Sequence, residues 1–164
     1  YQLILHDEMC ENFDSNLKIF PPLRPKKEIN HIIKNIKNKT IDAISSNHNP
    51  IETESKKCSF AKAKFGIIGL ESTFGIVNTV LKNEIELDEI ISLLSIQPRK
   101  ILNIKCPEIE IGNHANMTLF DPDEKWIYKE SDIKSKSKNS PFINYEFTGK
   151  IFGIFNNGQI KINH

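Results

Sequence analysis

The sequence predicts an α/β fold in the first part of the chain and β-structure in the last part. Two observations predict the α/β part: isoleucines at helical spacing around residue 32, and a short β-branched run directly after them. The third observation is a pair of apolar runs joined by Asn-Gly near the C-terminal end, which is typical of a β-hairpin. The pattern changes near residues 103–107, so we expect two units, 1–103 and 104–164.

Composition limits the possible functions. The 164 residues are 38% hydrophobic, enough for one domain with a core. The 22 basic and 21 acidic side chains give a net charge of +1, so bulk charge favours neither nucleic acid nor an anionic membrane. The longest apolar run, Phe65–Leu70, contains glycines and is far below the ~18 residues of a membrane span. Three cysteines without a C-x-x-C pair are typical of a reduced cytoplasm.

An amphipathic helix is the first element that the pattern predicts. Before this helix, Leu3–Leu5 could form a strand or a packed loop. The prolines at 21, 22 and 25 then force an extended segment that cannot be helical. The apolar stripe of the helix falls at i, i+3, i+4 and i+7, with lysines on the opposite face. This stripe consists of Ile29, Ile32, Ile33 and Ile36. The run Thr40–Ser45 then predicts a short strand, and a helix followed by a strand is the step of a parallel α/β fold.

A polar loop and two further helices follow. Loops after the carboxyl ends of strands contact ligands in α/β barrels, so the loop 47–64 is where a site is expected. The glycine-flanked run Phe65–Gly69 leads into the second helix, and a third helix ends where Pro98 begins a short one through Ile101. The predicted buried stripes are Leu70, Phe74, Val77 and Leu81 in the second helix, and Leu87, Ile90, Ile91 and Leu94 in the third.

The last part of the chain predicts strands. They are Ile109–Ile111, Asn116–Phe120, Trp126–Tyr128, Ile151–Phe155 and Gln159–Ile162. The final two form a hairpin on Asn156-Asn157-Gly158. We expect Trp126, Phe152 and Phe155 to lie in the core of this part, and residues 134–139 to form a polar loop.

Seven short segments occur in an order and spacing that point to common ancestry with a known family. They are Phe20–Arg24, Lys39–Ile44, Asn47–Pro50, Phe65–Glu71, Gln97–Leu102, Thr118–Pro122 and Ser135–Phe142. Together they resemble the dihydroorotase family of amidohydrolases. The resemblance implies the C-terminal part of a metal-dependent-hydrolase (β/α)8 barrel, followed by strands of a small β-sandwich. A complete barrel takes ~250 residues, so the barrel strands that carry most zinc ligands of active members would lie outside this chain.

Three positions depart from the family pattern at residues that take part in catalysis or in substrate binding in the family. After the last barrel strand the family has Asp-His-x-Pro-His, in which the aspartate binds metal and acts as general base; here Asn47 takes its place. An amide is neutral and has no basic lone pair, and losing a positioned base costs roughly 100- to 10,000-fold in rate. The second histidine is replaced by Ile51, and a substrate-binding asparagine by Phe20. The sequence therefore predicts no catalytic residue and no metal ligand in this chain.

For the remaining polar candidates the sequence gives weaker evidence of a function. We expect His48 to be a hydrogen-bonded structural residue, because no partner ligand lies at metal spacing. The resemblance implies main-chain contacts to substrate at Gly66 and Ile67, against the alternative of a tight turn between helix and sheet. Arg24 could bind a carboxylate or form a salt bridge. The Ser-Lys loop Ser135–Lys138 is interpreted as solvated rather than nucleophilic.

Three functions remain open from the sequence. The first is a catalytically inactive dihydroorotase-like protein of pyrimidine biosynthesis, a cytoplasmic structural or regulatory subunit that assembles with aspartate carbamoyltransferase or with itself. The alternative is an active cyclic amidohydrolase interconverting dihydroorotate and N-carbamoyl-aspartate, with ligands supplied by a missing N-terminal half. The third is a binding module for a small anion at the Gly66–Leu70 turn.

Overall fold

The computed structural model describes residues 1–163 as short helices, one antiparallel sheet and long connecting segments. The α-helices are α1 (Lys27–Lys37), α2 (Thr53–Lys56), α3 (Thr73–Leu81), α4 (Leu87–Ile91) and α5 (Gln97–Ile101). The strands are β1 (Met117–Ile127), β2 (Glu146–Asn156) and β3 (Gln159–Ile162). Short 3₁₀ turns occupy Asp7–Asn12, Ser15–Leu17 and Glu130–Asp132. None of the helices in the described residues has the length and apolarity needed to cross a membrane.

The amphipathic helix predicted around Ile32 is confirmed as α1. Its isoleucine stripe faces the core, where Ile36 is buried and Ile32 and Ile33 pack against it. The helix ends in a Schellman motif. The Thr40 N–H donates to the Asn35 carbonyl, and Lys39 adopts the left-handed conformation at φ 58°.

The strand predicted at Thr40–Ser45 is wrong. This segment forms only isolated main-chain bonds, such as the one from Ile44 N–H to the Leu93 carbonyl at 2.9 Å. A strand needs a ladder to a neighbour, and none of the described residues supplies one here. Ile41 and Ile44, the apolar residues that suggested a strand, nevertheless pack against the core.

The helical predictions after residue 70 need two corrections. Leu70 is 63% exposed, because α3 begins at Thr73 and Leu70 precedes its buried stripe of Phe74, Val77 and Leu81. Pro98 does not stop the third helix, since a π-helical turn at Ser92–Ile96 connects α4 to α5. The Arg99 guanidinium donates to the Ser95 carbonyl at 3.0 Å, which satisfies an acceptor where the helical bonding changes.

The sheet has the order β1-β2-β3 with antiparallel pairing throughout. The predicted hairpin on Asn-Gly is confirmed: Asn157 and Gly158 have φ of 51° and 71°, as a two-residue turn between twisted strands requires. The two predicted strands around Asn116–Phe120 and Trp126–Tyr128 form one strand, β1, whose pairing is irregular between Asp121 and Lys125.

The strand predicted at Ile109–Ile111 is wrong. Ile109 is 87% exposed and Ile111 is fully exposed, and the segment pairs with no described strand. Without a partner surface, two alternating apolar residues are too few to form a strand alone. In the sheet, Trp126 packs against the core, whereas Phe152 and Phe155 are only half-buried.

Helix α3 lies directly on the sheet and joins it to the first part of the chain. A Cβ on Gly75 would lie 3.0 Å from the Phe147 side chain, so glycine allows the helix and β2 to approach closely. The buried Asn78 donates to the Pro122 carbonyl at 2.8 Å and to the Thr148 carbonyl at 2.9 Å. One apolar core therefore contains residues from both sides of 103–107. The division into 1–103 and 104–164 stays a prediction.

Candidate functional site

Asn47 lies at the end of the extended segment that follows α1. Its φ of 46° is left-handed, a conformation that asparagine tolerates better than most residues. The Asn47 side-chain nitrogen donates to the Phe20 carbonyl at 2.8 Å and to the Tyr1 hydroxyl at 2.6 Å. The Phe20 carbonyl can only accept, so the group facing it must be the NH₂ of the amide.

Tyr1 completes this small network. Its hydroxyl donates to the same Phe20 carbonyl at 3.1 Å while it accepts from Asn47. A carboxylate at position 47 has no proton to donate and would place an anionic oxygen against the Phe20 carbonyl. The local hydrogen bonding therefore depends on the amide.

The structure brings two of the three altered positions together and places the third elsewhere. Asn47 contacts the main chain of Phe20, whose ring is 70% exposed and meets the Phe65 ring edge to face at 6.3 Å. Ile51 instead covers Gly66, where an added Cβ would lie 2.5 Å from its Cγ1. No residue could replace glycine there without moving Ile51, and the φ of 155° also favours glycine.

Four of the five main-chain N–H groups of the Gly66–Leu70 turn have protein partners, and within residues 1–163 the Ile67 N–H has none. Gly66 N–H donates to the Lys18 carbonyl at 3.1 Å, and Ile68 N–H to the Asn139 carbonyl at 3.2 Å. The Ile67 carbonyl accepts from Asn49 N–H at 2.7 Å. An anion bound by these donors would have to displace protein acceptors, at the cost of leaving them unpaired.

His48 has the hydrogen-bonded position that the sequence predicts. Its Nδ1 accepts from the N–H groups of Gly69 at 3.1 Å and Leu70 at 3.4 Å. Two donors aimed at Nδ1 require it to be unprotonated, which places the proton of the neutral ring on Nε2. The histidine thereby orders the turn that precedes α3.

Glu71 is a polar residue that the sequence reasoning missed. Its Oε1 accepts from Ser135 N–H at 2.7 Å, from the Ser135 hydroxyl at 2.5 Å and from Lys134 N–H at 3.1 Å. Burial acts to raise the pKa of the Glu71 carboxyl, but hydrogen bonds from the Ser135 hydroxyl and from main-chain N–H groups outweigh burial and lower the pKa. Glu71 thus holds the 134–139 loop against the turn. Its place in the Phe65–Glu71 segment was the only sequence signal.

Lys56 is a buried lysine held by carbonyls. Only 6% of it is exposed, and its Nζ donates to the carbonyls of Ser15 at 2.8 Å and Lys18 at 3.1 Å. Desolvation lowers the pKa of the Lys56 ammonium to about 8, against an opposing effect of Asp14. This contact fastens the 52–57 segment to the chain that precedes Phe20. Arg24, by contrast, is exposed and forms no ion pair within residues 1–163.

The described residues do not fit a zinc ion. Within residues 1–163, no group of three His, Cys, Asp or Glu side chains converges as a metal site requires. Asn47 offers a neutral amide whose nitrogen is already bound, and His48 uses Nδ1 as an acceptor for the turn. Ile51 and Phe20 have no side-chain donor atom.

Two cavities flank this region. One, of about 380 Å³, has His48, Pro50, Ile51 and the Ser135–Ser137 segment in its walls. The other, of about 350 Å³, is mostly apolar and lies between α1, α3 and the segment 41–47, with Asn47 at its edge. Two of the altered positions, Asn47 and Ile51, therefore border open space that a ligand or another polypeptide segment could fill.

Comparison with known proteins identifies the class. No family model matches the chain. A dihydroorotase of Thermoanaerobacter sp. (strain X514) is 37% identical over 163 residues, which are 98% of this chain and 38% of that protein. The structure of L-hydantoinase (dihydropyrimidinase) from Arthrobacter aurescens superposes with a TM-score of 0.87 at 22% identity, over 99% of this chain and 39% of that one.

A third relative is described as catalytically inactive. The inactive dihydroorotase-like domain of the Chaetomium thermophilum CAD-like multifunctional protein superposes with a TM-score of 0.66 at 15% identity, over 98% of this chain and 41% of that one. The fold thus matches part of the hydantoinase and dihydroorotase-like structures. The chain belongs to the dihydroorotase/hydantoinase amidohydrolase family. It spans about 38% of the length of the dihydroorotases it matches.

Proposed function

We propose that this chain is the C-terminal portion of a dihydroorotase-like protein of pyrimidine biosynthesis that is catalytically inactive and serves as a structural or regulatory subunit. In this proposal residues 1–103 are the end of a (β/α)8 barrel, and residues 104–164 supply strands of a β-sandwich. The protein acts in the cytoplasm, where pyrimidine precursors are made.

The amide network of Asn47 is the observation that carries the proposal. In the dihydroorotase pattern this position needs an anionic group that binds metal and accepts a proton from water. Asn47 can do neither, and its NH₂ group is committed to the Phe20 carbonyl. Phe20 and Ile51 also lack the polar groups that the pattern has for substrate. Three departures from the family pattern, two of them in contact with each other, support loss of catalysis on a scaffold that is otherwise kept.

Assembly is the proposed role that remains once catalysis is lost. An inactive dihydroorotase-like domain within a CAD-like multifunctional protein shows that such a fold can persist without activity in a relative. We propose aspartate carbamoyltransferase of the same organism as the partner, with self-association as the alternative. Sedimentation of the full-length protein alone and mixed with that enzyme distinguishes the two.

The second candidate is an active cyclic amidohydrolase, favoured by the 37% identity to a dihydroorotase. In that case the metal ligands and the base would come from residues outside this chain. It would interconvert dihydroorotate and N-carbamoyl-aspartate.

Turnover and zinc content of the full-length protein test the proposal. We expect dihydroorotate hydrolysis far below the 1–1,000 s⁻¹ of ordinary enzymes, and less than one zinc per chain. The variant Asn47→Asp should stay inactive, because Phe20 and Ile51 remain unable to contact substrate. Asn35→Asp, the same change at an exposed position of α1, controls for charge. Ordinary turnover with stoichiometric zinc would establish the second candidate instead.

A further inference from the structure

We propose that a cavity at the turn between α3 and α4 binds a small organic cation that carries N–H donors. We call it the Asn78 cavity; its volume is about 380 Å³, within the range of small-molecule sites. Its walls come from the C-terminal end of α3, the turn 82–86, the start of α4 and the middle of β1. The described residues that line it include none of the altered positions Phe20, Asn47 and Ile51, so the proposal goes beyond the proposed function.

Asn78 leaves an acceptor unused in the wall of this cavity. The side chain is fully buried, and its Nδ2 donates to the Pro122 carbonyl at 2.8 Å and to the Thr148 carbonyl at 2.9 Å. These two bonds fix the orientation of the amide, because carbonyls can only accept. The Asn78 Oδ1 then has no hydrogen-bond partner within residues 1–163. A buried acceptor without a donor costs free energy, and a ligand N–H bonded to it would recover that cost.

Carboxylates outnumber ammonium groups around the cavity. Glu84, Glu86 and Asp123 line it together with one lysine, Lys82. Lys82 is paired with Asp123 at 2.8 Å, and Glu84 is paired with Lys37 of α1 at 2.6 Å. Glu86 is exposed and takes part in no ion pair in the described part of the chain. The wall therefore keeps one carboxylate without a counter-charge, which favours a cation with N–H donors.

The apolar part of the wall favours an organic cation over a metal ion. Ile85, Leu87 and Pro122 line the same cavity, and their side chains have no atom that could bind a metal. Among residues 1–163, no three His, Cys, Asp or Glu side chains converge as a metal site requires. A hydrated metal ion would leave the apolar surface in contact with water, whereas a hydrocarbon body attached to an ammonium would cover it.

The turn that forms one wall is ordered without ligand. The N–H groups of Glu84 and Ile85 donate to the Leu81 carbonyl at 2.8 Å and 3.0 Å. The two ion pairs described above connect this turn to α1 on one side and to β1 on the other. A preformed wall spares a ligand the entropy cost of ordering it. The cavity thus combines a fixed shape with an unused acceptor and an unpaired carboxylate.

Ligand-observed NMR with cyclohexylammonium and cyclohexanol tests the proposal on the full-length protein at neutral pH. The two probes share the ring and differ in carrying an ammonium or a hydroxyl group. We expect cyclohexylammonium to bind at least tenfold more tightly than cyclohexanol. Glu86→Gln should weaken cyclohexylammonium about threefold and leave cyclohexanol unchanged. Asp88→Asn, the same acid-to-amide change at an exposed α4 position outside the cavity wall, should change neither.

A crystal of the full-length protein grown with cyclohexylammonium locates the site. We expect the ammonium nitrogen within about 3 Å of the Asn78 Oδ1, and the ring against Leu87 and Pro122. An ammonium nitrogen bound away from Asn78 would overturn the inference. Thermal unfolding of Glu86→Gln and Asp88→Asn verifies that both variants keep the fold.

Three binding results would also contradict the proposal. They are equal binding of the two probes, an effect of Asp88→Asn as large as that of Glu86→Gln, and displacement of cyclohexylammonium by Mg²⁺ at equal concentration. Because binding is measured without turnover, a failure here leaves the proposed loss of catalysis unaffected. Activity in the full-length protein would likewise leave this inference standing.

Discussion

The junction between α3 and the sheet is buried, whereas the region around Asn47 is exposed. At the junction, Phe147 is fully buried against Gly75, and Asn78 makes two hydrogen bonds across the interface. Around Asn47 the side chains are exposed and the hydrogen bonds involve main chain within reach of solvent. The junction therefore depends on buried contacts, whereas the predicted departures from the family pattern at Asn47 and Phe20 lie where the described residues leave the side chains exposed.

This contrast supports the proposed loss of catalysis, because it separates the residues that stabilise the fold from those at the altered positions. A buried side chain contributes several kcal/mol through contacts that few substitutes can reproduce. An exposed catalytic group contributes little to folding, so its replacement costs activity without much stability. Phe20 fits this contrast within the described residues, where it is 70% exposed although the family pattern has a polar asparagine at this position.

The largest expected effect is at the junction. Phe147→Ala removes a fully buried ring that meets Tyr128, Phe142 and Tyr145, and should lower the free energy of unfolding by about 3–5 kcal/mol. Phe20→Ala makes the same chemical change at an exposed position and should cost less than about 1 kcal/mol. Urea unfolding of both variants measures the difference. Equal losses would show that the two regions are not distinct.

The sequence was sufficient to predict those elements that are determined by residues within the element itself. The spacing of isoleucines was sufficient for α1, and the Asn-Gly turn was sufficient for the β2–β3 hairpin, because both depend on residues within one element. The departures from the family pattern at Asn47, Phe20 and Ile51 stay predictions, since they rest on a pattern of residue types in the chain.

Features that depend on distant partners were missed. The burial of Lys56 requires carbonyls 38 and 41 residues away, and the role of Glu71 requires Ser135, 64 residues away. The false strand at Thr40–Ser45 has the same origin, because a strand exists only through its neighbour. The π-helical turn before Pro98 accommodates a residue that local rules treat as a stop.

A smaller and pH-dependent effect is expected at Lys56, beside the altered site. Its pKa is lowered to about 8 by burial, so between about pH 8 and pH 10.5 the unfolded chain binds a proton there that the folded chain does not. Stability should therefore rise with pH across that window, by about 1–3 kcal/mol. Lys56→Met should remove the rise, whereas Lys57→Met, at an exposed neighbour, should preserve it. An unchanged pH profile in Lys56→Met would show that the lysine is not buried as an ammonium among carbonyls.

A weaker effect is expected at the altered site itself, where it tests whether the amide belongs to the local structure. Asn47→Asp removes the donor to the Phe20 carbonyl, and the Tyr1 hydroxyl can turn to donate to the new carboxylate in partial compensation. We expect a loss of about 1 kcal/mol in the free energy of unfolding at neutral pH, and less in acid, where the carboxyl regains a proton to donate. Asn30→Asp, at an exposed position in the first half of α1, should show neither the loss nor its recovery in acid. If Asn47→Asp instead stabilised the protein, the site would still be organised for a carboxylate, and the amide would not be an adaptation of the local structure.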